Sequence, residues 1–433
     1  MEKFFKLKDN HTDAKTEILA GITTFMTMAY ILAVNPGMLS TTGMDFGGVF
    51  TATVIASIIG TLIMALYAKY PFALAPGMGL NAFFAFTVVL GPMGKSWQFA
   101  LTAVLIEGLI FILLSFIKAR EAIFDSIPLN LKHAVSVGIG LFIAFIGLSG
   151  AGIVGSGEGV IVALGDLSSG GPLVAIIGIL ITGFLLAKNV KGAILIGIIA
   201  TTLIGIPMGV TIIPEGFNPV SLPPSLSQVA FKFVGFEEIF TMEMLVVVFT
   251  FLFVDIFDTV GILAGVSSKA GMLDDKGRLP RVGKALMADA VATVAGACLG
   301  TSTVTTYVES AAGVAEGGRT GLTALSTSVM FAIALFFAPL FTLIPSAATA
   351  PALVIVGLFM MSPITKIDFF DYTEAIPAFL TIVMMPFAYS IADGIVFGMV
   401  SYVILKLVSG RTKEVSKVMW LLAILFVIKF GFM

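Results

Sequence analysis

Charge is scarce in this chain. Of its 433 residues, 12% are Asp, Glu, Lys or Arg and 58% are hydrophobic. A soluble domain carries about 25% charged residues, so a soluble globular protein is excluded. One cysteine, Cys298, rules out an intrachain disulfide. The two histidines, His11 and His133, have no Cys/His neighbours at metal-ligand spacing, and no metal or cofactor is expected. No phosphate-binding loop or nucleophile elbow is present, which argues against ATP-driven transport and against hydrolase chemistry. The net charge is −2 and no Lys/Arg cluster stands outside the loops flanking the apolar segments, so there is no footprint for nucleic acid. The opening stretch, MEKFFKLKDNHTDAKTEI, lacks the apolar core and small-residue cleavage site of a signal peptide. The first apolar span is therefore expected to act as an uncleaved insertion signal.

What the chain has in abundance is long apolar runs. A helix needs ~20 apolar residues to cross a bilayer. Candidate spans fall at 18–36, 49–68, 72–90, 98–117, 131–153, 172–187, 192–206, 244–266, 284–300, 303–316, 320–344, 349–361, 374–389 and 391–409. A further apolar stretch, 418–432, reads as a helix at the interface or under the bundle. Short alternating segments, the mark of a β-barrel, are not the pattern. With the N-terminus inside, 22 of the 24 Lys and Arg residues fall on cytoplasmic segments, Lys95 and Lys232 being the exceptions. This bias supports about fourteen spans with both termini cytoplasmic.

The longest polar interruption, 207–243, divides the spans seven and seven. An odd number per half inverts the second half relative to the first, and inverted repeats place a binding site at their interface near mid-membrane. The plan predicts interrupted helices at matching positions. The third span, PFALAPGMGLNAFFAF (71–86), is broken by Pro76, Gly77 and Gly79. The tenth, TSTVTTYVESAAGVAEGG (301–318), joins strand-favouring residues to a short helix-compatible run, with Glu309 at the join. Irregular backbone at membrane depth is tolerated only where it is buried in protein or lines a cavity. Two such segments meeting would form a site, with the short helices near Leu80 and Val308 aiming backbone N–H groups at a ligand.

Ionisable groups inside spans are functional candidates. Asp255 and Asp258, spaced i, i+3 in FTFLFVDIFDTVGILAGV (249–266), share a helix face. With Glu309 they are three buried acids, and no Lys or Arg in the middle of a span neutralises them. Glu107 in the fourth span is a weaker candidate. Asn81 opens the helix after the third-span break and can both donate and accept. Asp289 lies in the ninth span, where it either orients the site or closes the cytoplasmic loop. Thr23, Thr24 and Thr27 of the first span are expected mainly to bond their own backbone. GMLDDKGRLPRVGK (271–284) reads as a cytoplasmic loop rather than a metal site.

GITTFMTMAYILAVNP, APGMGLNAFFAF, VDIFDTVGILAGVSSKAGMLD and MADAVATVAGACLGTSTVTTYVESAAGVAEGGRTGL together resemble the AzgA-like purine permeases. These belong to the nucleobase–cation symporter-2 (nucleobase–ascorbate transporter) superfamily, and the resemblance covers nearly the whole chain. It implies an all-α polytopic protein of about fourteen transmembrane helices in a 7+7 inverted repeat, with short antiparallel strands in spans 3 and 10. A cytoplasmic N-terminus (1–17) would precede a core domain (18–119 and 244–345) and a gate domain (120–206 and 346–409). Residues 207–243 would connect the repeats outside, and 410–433 would lie in the cytoplasm.

The implied activity is import of hypoxanthine, guanine or adenine with protons, with sodium left open, by an elevator movement of core against gate. The implied place is a bacterial inner membrane, with membrane lipid around the chain and homodimers among relatives. By motif, Glu309 in TTYVES binds the nucleobase edge, with Thr306 and the aromatic Tyr307 beside it and Val308 offering its backbone N–H. Asp258 before TVG and the additional Asp255 would share proton coupling with Glu309. Asn81 in GLN contacts substrate, and Asp289 and Thr27 support the site. One departure is Ile262, which stands where uracil-type relatives carry a proton-linked histidine, so coupling would rest on carboxylates alone. Anion carriers are thought to share this architecture, but three acids suit an anion poorly. A channel or a membrane-embedded enzyme lacks the expected polar lining or catalytic constellation.

Overall fold

The computed structural model describes residues 2–91, 93–116, 127–157, 160–269, 271–272 and 279–431. The expected domain boundary at 119/120 and residues 273–278 of the expected loop at 271–284 lie outside the described residues.

The described residues are mostly helical. In order, the elements are α1 (Ala14–Met28), α2 (Ile31–Ser40), α3 (Phe46–Ile63), β1 (Leu74–Pro76), α4 (Met78–Ala82), α5 (Trp97–Phe116), α6 (Leu129–Gly150), β2 (Val154–Gly157), β3 (Val160–Leu164), α7 (Gly170–Ala187) and α8 (Ala193–Gly205). There follow α9 (Met242–Lys269), α10 (Val282–Leu299), β4 (Val304–Thr306), α11 (Ser310–Ala315), α12 (Gly321–Ala334), α13 (Ser346–Met360), α14 (Tyr372–Phe387), α15 (Ile391–Val408) and α16 (Lys417–Gly431). Among the described residues, nine helical stretches are long and apolar enough to cross a membrane. α8, α14 and the helix that α4 opens are apolar but shorter.

Helix starts follow capping chemistry. The Asp13 carboxylate accepts from the backbone N–H groups of Lys15 and Thr16, at 2.8 and 3.0 Å, and opens α1. Asp45 does the same for α3 through Gly48 N–H at 2.7 Å. Buried Glu17 opens α12 from a distance in sequence. Its carboxylate accepts from Arg319 N–H, from both the N–H and the hydroxyl of Thr320, and from both those of Thr323. Helix α10 ends at Gly300, whose φ of 101° few side chains tolerate.

The helices sort into two packed groups, each drawn from both halves of the chain. In one, α1 packs on α11 and α12, α3 on α2, α10 and α12, and α5 on α9 and α10. In the other, α6 packs on α13 and α14, α7 on α8 and α13, and α14 on α15. Small residues permit the closest approaches. A Cβ on Gly140 would lie 2.5 Å from the Gly357 carbonyl oxygen, and one on Gly357 would lie 2.4 Å from that of Gly140. Lipid takes the place of water around such a bundle, which accounts for exposed Leu113, Leu180, Phe184 and Leu203.

The two short strands β1 and β4 pair antiparallel, Leu74 opposite Thr306 and Pro76 opposite Val304. They are buried along their whole length. The ladder continues through Gly77 N–H to Thr303 O and Tyr307 N–H to Ala73 O, each 2.9 Å. β2 and β3 form a second, exposed hairpin between α6 and α7, with Ile161 92% exposed. Nothing in the sequence reading anticipated that hairpin.

Candidate functional site

The triplet Thr301–Ser302–Thr303 fixes the approach to β4. Each hydroxyl bonds a different partner. Asn35 of α2 donates its amide to the Thr301 hydroxyl at 2.9 Å and to the Thr53 hydroxyl at 2.6 Å. The Ser302 hydroxyl donates to Asn81 Oδ1. The Thr303 hydroxyl donates to Glu107 Oε2 at 2.6 Å. All of these groups are fully buried, where an unpaired polar group costs about 1–3 kcal/mol. Asn81 and Glu107 are thus joined to the frame that holds β4.

Beyond the paired strands the chain re-enters helix on both sides, at α4 and α11. There a cavity is lined by Tyr30, Asp258, Ile262, Thr306, Val308 and Glu309, among others. Glu309 stands at the N-cap position of α11, and its side chain makes no capping hydrogen bond there. Its Oε1 accepts a 2.6 Å hydrogen bond from the Tyr30 hydroxyl, which comes from the break between α1 and α2. The Tyr307 hydroxyl donates to Pro76 O at 2.5 Å and ties α11 to the partner strand. Gly77 is required on the far wall. A Cβ there would stand 2.5 Å from Thr305 Cγ2 and 3.4 Å from Asp258 Oδ2.

The pair spaced i, i+3 on α9 is divided. Asp258 lines the cavity. Asp255 is fully buried behind it, where its Oδ1 accepts from Thr259 Oγ1 at 3.0 Å. The same hydroxyl lies 3.2 Å from Asp289 Oδ1 of α10. One hydroxyl proton serves two carboxylates. The cavity wall therefore carries Asp258, Thr306, Tyr307, Val308 and Glu309, while Asp255, Asp289 and Asn81 stand outside it. Thr27 donates chiefly to its own helix, to Thr24 O at 2.9 Å and Thr23 O at 3.1 Å, with a longer contact to Glu309 O at 3.5 Å.

Tyr30 was not singled out from the sequence. It lies three residues after Thr27, so a polar stripe along α1 was the available clue. Val356 and Met360 of α13 also line the cavity, and nothing in their apolar run distinguishes them.

The α11 half-helix is anchored from behind. A Cβ on Gly313 would lie 2.1 Å from Thr24 Oγ1 and 2.6 Å from Ala20 O, so α1 and α11 touch backbone to backbone. Arg319 Nη1 donates to Val314 O at 2.6 Å and Gly318 O at 2.8 Å, placing a cation at the C-terminal end of α11. The backbone N–H of Arg319 meets Glu17 Oε1 at 2.8 Å.

Fold and site define a multi-pass membrane transporter, not an enzyme. The chain belongs to the family whose model is described as "Permease family", which matches residues 15–397. It is 53% identical over its whole length to a permease of Methanocaldococcus jannaschii, covering 98% of that protein. It is 46% identical over 98% of its length to the guanine/hypoxanthine permease PbuO of Bacillus subtilis, covering 99% of it. The adenine permease AdeP of Escherichia coli is 41% identical over the whole chain and 96% covered. Among solved structures, the transmembrane domain of a cyanobacterium bicarbonate transporter, BicA, superposes with a TM-score of 0.63. It does so at 16% identity, over 89% of this chain and 97% of that one; this likeness concerns the fold alone.

Proposed function

We propose that this protein imports purine nucleobases, hypoxanthine, guanine or adenine, by proton symport across a bacterial inner membrane, with both termini in the cytoplasm. The observation that carries the reading is that the hydrogen-bonded Tyr30–Glu309 pair and Asp258 line one cavity beside the paired strands of the two broken spans. A purine is flat and neutral, with donors and acceptors on its edges. A carboxyl held by a tyrosine, a second acid opposite, and helix-end backbone groups suit those edges, while Tyr30 and Tyr307 cover apolar faces. The names of PbuO and AdeP support purines as the class.

The proposed architecture is fourteen crossings in a 7+7 inverted repeat. The group containing α1–α5 and α9–α12 forms the core and the group containing α6–α8 and α13–α15 the gate. Support comes from which helices pack on which. In the proposed cycle a proton neutralises Asp258, the purine binds against Glu309, and the core slides along the gate as a unit. Asp255 and Asp289, sharing Thr259 behind Asp258, are positioned to respond when Asp258 changes charge.

The test is labelled hypoxanthine uptake into proteoliposomes with an imposed inward proton gradient. Accumulation should collapse with a protonophore and with Glu309→Gln. It should survive replacement of sodium by potassium. Asp258→Asn should retain exchange of purine for purine while losing gradient-driven accumulation. Inertness toward all three purines would remove the assignment.

A further inference from the structure

A second cavity, about 240 Å³, lies away from the first, which measures about 50 Å³. Its floor comes from one helix group: Phe83 and Thr87 after α4, Met93, Lys95, and the start of α9 from Glu243 to Thr250. Its roof comes from the other group, Ser390 to Asp393 at the start of α15. Lys95 Nζ and Glu243 Oε1 stand 3.5 Å apart at the mouth, with side chains 31% and 51% exposed. Deeper in, the hydroxyl-bearing Thr87, Thr250 and Ser390 are all buried.

Along α9, Thr250 and Asp258 are eight residues apart, roughly 12 Å at 1.5 Å per residue. Along the chain, Phe83 follows Gly79 of the first cavity and precedes Thr87 of the second, and Phe251 falls between Thr250 of the second and Asp258 of the first; both are fully buried and their rings meet edge to face at 4.9 Å. Along both segments an aromatic plug thus separates the two cavities. The second opens on the face opposite the N-terminal segment, whose Phe4 carbonyl receives a hydrogen bond from Lys69 at the other end of α3.

The geometry points to a second purine-binding position in this cleft, which captures the base on the far side of the plug before the Glu309 cavity is exposed to that face. This rests on the purine reading above. Phe83 supplies a flat apolar wall. The three hydroxyl oxygens retain acceptor capacity for the ring and exocyclic N–H groups. The Lys95 ammonium and the Glu243 carboxylate offer a donor and an acceptor side by side at the rim, and the Asp393 carboxylate of the roof adds a further acceptor. A neutral, planar heterocycle with both donors and acceptors fits that set better than an anion or an extended lipid tail. Because floor and roof belong to different helix groups, sliding one along the other dismantles the position, so a base bound there is passed on rather than held.

The lone native cysteine makes the test direct. In a Cys298→Ala background, Met93→Cys places a thiol at the cleft. The rate of its modification by a membrane-impermeant maleimide, added to the Lys95 side, is measured with and without saturating hypoxanthine. Hypoxanthine should slow labelling at least threefold. Protection should persist when Glu309→Gln is added, and should fall below twofold when Lys95→Met or Ser390→Ala is added. Thermal unfolding in detergent checks that each variant is folded. A protein that transports hypoxanthine yet shows no protection overturns this proposal alone, as does protection that vanishes with Glu309→Gln, because the central site would then be its source. A protein that neither transports purines nor is protected removes the parent reading and this one together.

Discussion

Gly313→Ala is the sharpest test of how the site is built. The added methyl would lie 2.1 Å from Thr24 Oγ1 and 2.6 Å from Ala20 O. The threonine can rotate, although doing so breaks the 3.0 Å bond it donates to Ala20 O. The Ala20 carbonyl is backbone inside α1 and cannot move alone. Relief to an ordinary contact of about 3.4 Å needs α11 to retreat by roughly 0.8 Å, and α11 is six residues long with Glu309 at its head. Overpacking of this kind costs about 1–3 kcal/mol, and a displacement near 1 Å at a reacting or binding group costs up to about a hundredfold.

The expected result is hypoxanthine uptake reduced at least tenfold, chiefly through a raised KM, with a lowered unfolding temperature in detergent. Gly37→Ala is the matched control, since a Cβ there has nothing within 4 Å; it should behave as wild type. Uptake by Gly313→Ala within twofold of wild type would refute the idea that α1 positions the half-helix.

Three further outcomes are expected. Tyr30→Phe removes the hydroxyl that donates to Glu309; uptake KM should rise tenfold or more with unfolding temperature almost unchanged, and an unaltered KM would dissociate Tyr30 from the site. Glu17→Gln keeps the shape but puts an amide nitrogen in place of one of two oxygens that together accept from five donors, four of them on Oε2. It should lower thermal stability by several degrees, and an unchanged melting curve would show that α12 starts without it. At the C-terminal end, hydrogen bonds from Arg411 hold the carboxyls of Asp371 and Glu414 at about 2. Groups depressed in the folded state contribute fully above their unfolded pKa of roughly 4 and lose that contribution as pH falls toward 2. Proteolytic release of α16 should therefore be constant from pH 8 to 5 and rise steeply only below about pH 4, whereas a transition near pH 6 would implicate other groups.

The apolar spans were legible because a bilayer forces a length and a composition on each crossing. The breaks in the third and tenth spans were legible because Pro76, Gly77 and Gly79 cannot sit quietly in a helix, and because Val and Thr at 303–306 favour extended backbone. The hairpin formed by β2 and β3 was not, since its short strands fall between the candidate spans 131–153 and 172–187, where too few residues stand to mark a crossing. Glu107 was legible as an unusual buried acid but not as the partner of Thr303. That contact depends on the packing of spans almost two hundred residues apart. Tyr30 escaped notice because a tyrosine in an apolar run reads as part of that run, although its hydroxyl reaches the Glu309 carboxylate from the break between α1 and α2.

The polar groups in the bundle divide by what holds them. Asn35, Thr53, Thr301, Ser302, Thr303, Asn81 and Glu107 bond one another across five segments, so their bonds persist only while those segments keep their relative positions; among the described residues Asn35 Oδ1 and Asn81 Nδ2 are left without a hydrogen-bond partner. Tyr30 and Glu309 bond each other at the cavity, and Asp258 faces the same space from α9. A body held together by such internal bonds can move as a unit, with the exchange of polar partners confined to its surface. The triplet at 301–303 ties both broken spans and α5 into that body, and the cavity acids sit where it meets Val356 and Met360 of the other group. In the proposed cycle, sliding at that boundary would change what faces Asp258 and Glu309 while leaving the frame behind them intact, which is the physical requirement for carrying a bound solute between two faces of a membrane.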